Sequence, residues 1–154
     1  MDFYYKLNLI GKGAFGKVYL GIQKLTNRLV AIKCLEKKLI QKSINKLKIQ
    51  KEIEIMQEVG DNKYIIGLLE VFEDQQFVYL ILEYASNGDL LKKISNGYVL
   101  KEKEIKDIFV DIVIGLEYIH SKNIIHRDIK LDNILIDEYE NYKICDFGVS
   151  RKIE

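Results

Sequence analysis

Over residues 101–120 the large apolar side chains Ile105, Ile108, Phe109, Ile112, Val113, Leu116 and Ile119 follow the i, i+3, i+4, i+7 spacing of a buried helix. At about 100° per residue they cover an arc of roughly 140°, with Val110 and Ile114 outside it. An arc that wide calls for more than one packing partner. Left in water, these side chains would forfeit roughly 10–20 kcal/mol at about 1.5–3 each, whereas a whole domain is stable by only about 5–15 kcal/mol. Any fold for this chain has to cover that helix.

The first half follows a different period. Tyr5, Leu7 and Leu9, then Val18, Leu20 and Ile22, alternate with polar residues on either side of "GKGAFG", as two strands joined by a Gly-rich turn should. "RLVAIKCL" reads as a third strand. From Ser43 the apolar positions Ile44, Leu47, Ile53 and Met56 take a helical period that stops at Gly60. "GLLEVFEDQQFVYLILEYA" gives two more strands around the turn at residues 73–76. After "SNGD" helix takes over, and beyond the long helix lie the charged loop "IIHRDIKLDN" and short strands "ILI" and "KIC" about a turn at residues 137–141. The chain is therefore strand-rich to about residue 82 and helix-led afterwards.

Composition removes several classes of function. With 24 Lys+Arg against 23 Asp+Glu, the net charge of +1 supplies no field for nucleic acid or an acidic membrane. Cys34 and Cys145 lie far apart without metal-ligand spacing, which argues against zinc or a disulfide framework and suits a reducing interior. The N-terminus has no basic region followed by an apolar core, and runs such as residues 77–82 fall far short of the roughly 20 residues that span a bilayer. A cytoplasmic, intracellular setting is expected.

Three stretches carry chemistry. In "GKGAFGKV", Gly11, Gly13 and Gly16 would let backbone N–H groups close over phosphates. A dinucleotide-binding reading requires a helix after the third glycine, but "KVYLG" alternates as a strand. Lys33 ends the strand "VAIK", and Glu52 on the following helix is a candidate partner, in competition with Glu54 and Glu58. "HRDIKLDN" packs two acids, three bases counting the histidine, and an amide into eight residues. There Asp128 can accept a proton from a hydroxyl, Lys130 can neutralise a transferring phosphoryl group, and Asn133 can offer an oxygen to a divalent ion. Asp146 adds a carboxylate at a strand end. His126 and His120 read as packing residues.

The set "GKGAFGKV", "VAIK", "HRDIKLDN" and "DFG", in this order, resembles the protein kinases. The resemblance runs over the whole chain. It implies an α+β, two-lobed kinase-like fold: a five-stranded antiparallel N-lobe sheet with one major helix over residues 1–82, a hinge at 83–88, and the start of a C-lobe at 89–154, truncated after the Asp-Phe-Gly motif. It implies ATP and Mg²⁺ as cofactors, with Gly11, Gly13 and Gly16 over the phosphates, Val18 against adenine, Ala31 among the nucleotide contacts, and Lys33, oriented by Glu52, on the α- and β-phosphates. Leu82 would stand at the back of the pocket, with Glu83 and Ala85 presenting backbone to adenine, Asp89 near the ribose, and Leu135 among the nucleotide contacts. Asp128 would be the catalytic base, Asn133 and Asp146 the metal ligands, and Phe147 the packing switch. Lys130, two residues past the base, is the pattern of Ser/Thr kinases, so the implied partner is a protein substrate with a Ser or Thr acceptor. Cys145 would lie inside the nucleotide pocket. "GDNKYII" departs from the His-Pro-Asn of many relatives without touching a catalytic role.

Relatives continue through an activation loop and further helices. The expectation is thus a truncated kinase domain, inactive or nearly so alone, whose helix at 101–120 is covered by the missing C-lobe or by a partner. Arg127 would normally pair with a phosphorylated residue of that loop, for which this sequence offers only Ser150. A nucleotide-binding module without turnover and a pure interaction fragment are the alternatives.

Overall fold

The molecule is described from a computed structural model covering residues 1–13, 15–41 and 43–153. It divides into two compact units, Met1–Gln50 with Gly67–Tyr84, and Lys51–Ile66 with Ala85–Glu154. Residues 51–66 therefore group with the second unit, and the division falls inside a helix.

In the first unit, strands β1 (Tyr4–Gly13), β2 (Gly16–Gln23), β3 (Leu29–Glu36), β4 (Leu68–Glu73) and β5 (Phe77–Glu83) form an antiparallel sheet in the order β1-β2-β3-β5-β4. Opposed residues in an antiparallel pair share a face. The register therefore sorts the side chains into rows. Val18, Lys33, Leu80 and Val71 form one row, and Leu20, Ala31 and Leu82 the next on the same face. On the other face run Lys17, Cys34, Tyr79 and Phe72, then Tyr19, Ile32 and Ile81. That second face carries an aromatic series, Tyr4 on Phe72 at 6.0 Å, Phe72 on Tyr79 at 5.0 Å and Tyr79 beside Phe77 at 5.9 Å. The β4–β5 turn is held by Asp74, whose Oδ1 accepts the N–H groups of Gln76 and Phe77 and whose Oδ2 accepts the Tyr79 hydroxyl at 2.7 Å.

Helix α1 (Lys37–Ile40) is a single turn, joined to the long helix α2 (Ser43–Val59) by Asn45 Nδ2 donating to the Leu39 carbonyl. Gly60 ends α2 at φ +67°, the left-handed position that glycine occupies without a Cβ clash.

The second unit is built around α4 (Glu102–Ser121), preceded by α3 (Leu90–Ser95). Short ladders follow: β6 (Ile124–Ile125) pairs with β9 (Arg151–Lys152), and β7 (Ile134–Ile136) with β8 (Tyr142–Ile144). Asp137 closes the β7–β8 turn by accepting both the main-chain and side-chain N–H of Asn141 at 2.8 Å. Helix α4 presses on β8 through Gly115, where an added methyl would meet Ile144 Cδ1 at 3.0 Å. The Tyr118 hydroxyl donates to the last α2 carbonyl, that of Val59, at 2.6 Å.

Periodicity predicts one buried arc on α4, and here the structure differs. Ile108 and Ile119 are buried, but Ile105, Val113 and above all Phe109, 68% exposed, face outward. Close approach at Gly115 tilts the buried stripe to one side of the arc. No helix of the described residues is long and apolar enough to cross a membrane.

Candidate active site

In the first unit the candidate residues lie on one hairpin and one sheet face. Gly11 opposes Val18 and Gly13 opposes Gly16 across β1 and β2. Only Gly16 is forced by local packing: a Cβ there would lie 1.8 Å from the Cys34 carbonyl oxygen. At Gly11 the nearest atom would be Val18 Cβ at 3.6 Å, and at Gly13 a carbonyl at 3.9 Å, both ordinary contacts. Neither has a positive φ. A side chain at either would thus fit the chain's own packing. Beneath the hairpin, Val18, Ala31, Lys33 and Leu82 share one face in adjacent rows. Glu83 follows Leu82, and its N–H donates to Gly67 O at 2.9 Å while its Oε2 accepts the Gly67 N–H.

In the second unit the segment at residues 126–133 folds back on itself. Asn133, buried on the 3-10 turn Leu131–Asn133, donates through Nδ2 to the Asp128 main-chain carbonyl at 2.9 Å and to Asp128 Oδ2 at 3.0 Å. Lys130 Nζ pairs with the same Oδ2 at 3.2 Å. The hydrogen bond to Asp128, then its charge, raises the Lys130 pKa above the ordinary lysine range. One carboxylate oxygen of Asp128 is thus engaged by two donors, leaving Oδ1 as its remaining acceptor.

His126 bridges this loop to the segment bearing Asp146. Its Nδ1 accepts the Asp128 N–H at 3.2 Å, so that nitrogen carries no proton, and Nε2–H donates to the Cys145 carbonyl at 2.9 Å. The ring is 1% exposed and packs edge-on against Phe147 at 5.2 Å. Burial lowers its pKa, opposed by the Cys145 hydrogen bond and nearby Asp146 and Asp128. The Cys145 N–H donates in turn to Asn133 O at 3.0 Å, tying the two segments a second time.

Asp146 stands at φ +67° and Arg127 at φ +68°, both in the left-handed region. Asp146 Oδ1 accepts the Gly148 N–H at 3.0 Å. A methyl on Gly148 would come within 3.1 Å of that oxygen and 3.7 Å of Glu52 Oε2, so the Glu52 carboxylate, buried on α2, also approaches this turn. The structure therefore brings together Glu52, Asp128, Lys130, Asn133 and Asp146. Asp89 and Leu135 meet in a main-chain bridge. The Asp89 carboxylate also caps α3 by accepting the Lys92 N–H at 2.8 Å, a capping role that the sequence reading did not assign. Ala85 is buried in the same unit. Arg127 Nε donates to the Val149 carbonyl at 2.7 Å, and the Ser150 hydroxyl to His126 O at 3.1 Å.

The family model for the protein kinase domain matches residues 4–154. The chain belongs to the protein kinase family. Among curated relatives of this kinase-family chain, NUAK family SNF1-like kinase 1 of Mus musculus is 41% identical over 141 residues, 92% of the chain and 21% of the relative. NUAK family SNF1-like kinase 2 of Homo sapiens is 42% identical over 144 residues, 94% of the chain and 23% of the relative. A third, 3-phosphoinositide-dependent protein kinase B of Dictyostelium discoideum, is 39% identical over 147 residues, 96% of the chain and 16% of the relative. The chain spans between 16% and 23% of the length of these curated relatives.

Membership implies, in general, ATP and a divalent ion. Among the described residues no group of three or more His, Cys, Asp or Glu side chains could hold a metal alone. Mg²⁺ binds through one or two protein oxygens together with phosphates and water. With Asn133 Nδ2 committed to Asp128, the amide offers Oδ1, and the Asp146 carboxylate lies one residue beyond Cys145, which is bonded to Asn133.

Proposed function

We propose that this chain carries the nucleotide- and metal-handling part of a Mg-ATP-dependent kinase acting on Ser or Thr of protein substrates. The observation that carries it is the Asn133–Asp128–Lys130 arrangement: one carboxylate oxygen is fixed by an amide and an ammonium, and the other is left to accept a proton. In the reaction the substrate hydroxyl attacks the γ-phosphorus as its proton passes to Asp128 Oδ1. The bond to the β–γ bridging oxygen breaks and ADP leaves. Lys130 offsets negative charge on the transferring group, as electrostatic stabilisation of phosphoryl transfer requires. Asn133 Oδ1 and Asp146 would hold Mg²⁺, which neutralises phosphate oxygens. Gly11 and Gly13 would cover the phosphates, Val18, Ala31, Leu82 and Leu135 would enclose adenine with backbone from Glu83 and Ala85, and Lys33 would engage the α- and β-phosphates. Asp89 would lie near the ribose.

A thermal-shift series with Mg-ATP tests binding: a rise in melting temperature is expected, lost in Lys33→Met and Asp146→Asn, and no rise in the unmodified chain would refute the reading. In a longer form containing these residues, Asp128→Asn should lower the transfer rate on the order of 10²–10⁴-fold.

The 154 residues alone are expected to transfer phosphate poorly. Supporting this is the stripe Ile105, Phe109 and Val113 on α4, apolar surface that calls for cover by further chain or a partner. Robust peptide phosphorylation by the chain alone, abolished by Asp128→Asn, would overturn that expectation. The same stripe favours a second reading, an interaction fragment indifferent to ATP, which Lys33→Met would leave unchanged.

A further inference from the structure

Charge is unevenly spread along the chain. Residues 37–50, "KKLIQKSINKLKIQ", hold five lysines and no acidic residue, so the whole-chain charge of +1 hides a local excess and the remainder is net negative. This stretch supplies α1 and the first half of α2, all within the first unit. Its apolar residues are not all inside. Ile40 and Ile49 are buried, but Leu39, Ile44 and Leu47 are 43%, 61% and 56% exposed. The bond from Asn45 Nδ2 to Leu39 O, 3.1 Å, ties the α1 turn to the first turn of α2.

The order of side chains around α2 gives this surface a centre and margins. At about 100° per residue, Ile44 and Leu47 lie about 60° apart, with Lys48 about 40° beyond Ile44 and Lys46 about 100° beyond Leu47. The exposed arc therefore has two aliphatic side chains in the middle and an ammonium group on each side, while Ile49 points the opposite way and is buried. Lys38 on α1 adds a third charge, its side chain 78% exposed although 3.6 Å from Glu36, whereas Lys37 is held by Glu73 at 2.8 Å. A merely solvated face carries acids among its bases, as α4 does where Glu102 meets Lys106 at 3.1 Å. An apolar centre with cationic margins is the layout of a helix lying in a lipid–water boundary, aliphatic groups below the headgroups and lysine stems reaching up to the phosphates.

We propose that α1 and the first half of α2 form a docking surface for an anionic lipid bilayer, with Leu39, Ile44 and Leu47 entering the headgroup layer and Lys38, Lys46 and Lys48 meeting acidic headgroups. Each lysine near such a surface contributes about fivefold in partition, so three give on the order of a hundredfold. The aliphatic groups supply the part of the attraction that salt does not screen. They project from a convex helix rather than line a groove, which favours a broad apolar layer over an acidic peptide. The chain would lie on the bilayer, since no helix of the described residues is long and apolar enough to cross it. None of these six residues belongs to the nucleotide reading, so the two stand or fall separately.

The probe is a phosphatidylcholine vesicle containing phosphatidylserine, with pure phosphatidylcholine as the neutral counterpart, titrated at low salt against the full 154-residue chain and read by co-sedimentation. The chain is expected to pellet with the mixed vesicles and not with the neutral ones, and to partition less as salt rises. Lys46→Gln with Lys48→Gln should weaken partition about 10–30-fold, and Ile44→Ser with Leu47→Ser about tenfold or more. Hydrogen exchange on the unmodified chain, which does not depend on how the variants fold, should slow at residues 43–48 with mixed vesicles only. Equal binding to both vesicles, or slowing centred on the Ile105 and Phe109 side of α4, would overturn the proposal. So would a serine pair that binds like the unmodified chain while the glutamine pair fails, the pattern of a purely electrostatic site for an acidic macromolecule.

Discussion

The side-chain amide of Asn133 donates to both the main-chain carbonyl and the Oδ2 of Asp128, at 2.9 and 3.0 Å. A single group thus fixes the backbone of the loop and the direction of its acid. Asn133→Asp replaces the donor with a second carboxylate facing the first. Stability should fall by about 1–3 kcal/mol, the cost of an unmet buried polar group, read from the urea midpoint. Any Mg-ATP-induced rise in melting temperature should shrink with it.

The glycines of the β1–β2 hairpin should separate by substitution. Gly16→Ala puts a methyl 1.8 Å from the Cys34 carbonyl, so the strands must part, at a cost of about 1–3 kcal/mol or more. Gly11→Ala meets only Val18 at 3.6 Å and should leave the melting temperature nearly unchanged while weakening ATP binding. Equal destabilisation by the two changes would contradict the described register.

Acid should destabilise the second unit through His126. Burial holds its imidazole below the ordinary histidine range of about 6.5. Between that value and the lower folded one, the unfolded chain takes up a proton that the folded chain refuses, so stability falls as pH drops through this window. Melting temperatures scanned downward from about pH 7.5 should show the decline starting near 6.5. In His126→Asn the decline should be shallower, on a lower baseline.

The two sides of α4 should respond differently. Ile119, fully buried, should cost about 2–5 kcal/mol when cut to Ala. Phe109→Ser should stay within about 0.5 kcal/mol, as for surface positions generally, and should raise the concentration at which the chain remains monomeric. Sedimentation and denaturant melts of the two variants measure this contrast.

Much of this was legible because the informative residues are local. The alternation around "GKGAFG" marks β1 and β2, and "HRDIKLDN" holds within eight residues the groups that Asn133 gathers. The helical stop at Gly60 appears as a left-handed glycine. What escaped depends on register or on brevity. Helix α3 is six residues long, too short for a period to show, and Asp89 before it reads as a cap only once the helix is known. Strands β6 and β9 are two residues each and exist by pairing with each other. The split of α4 into covered and bare sides follows from Gly115 lying against Ile144 and Tyr64, a contact between distant segments that no window of sequence displays.

Arg127, next to the proposed acid Asp128, and Asp146, itself a proposed metal ligand, stand at φ +68° and +67° in a backbone region that costs side-chain-bearing residues about 1–2 kcal/mol. Replacement of either by glycine would relax the chain while deleting a guanidinium or a carboxylate. Laboratory evolution under heat alone, with no demand for turnover, should therefore admit glycine at these two places as readily as at Glu140, at φ +61°, yielding sturdier descendants without the proposed chemistry.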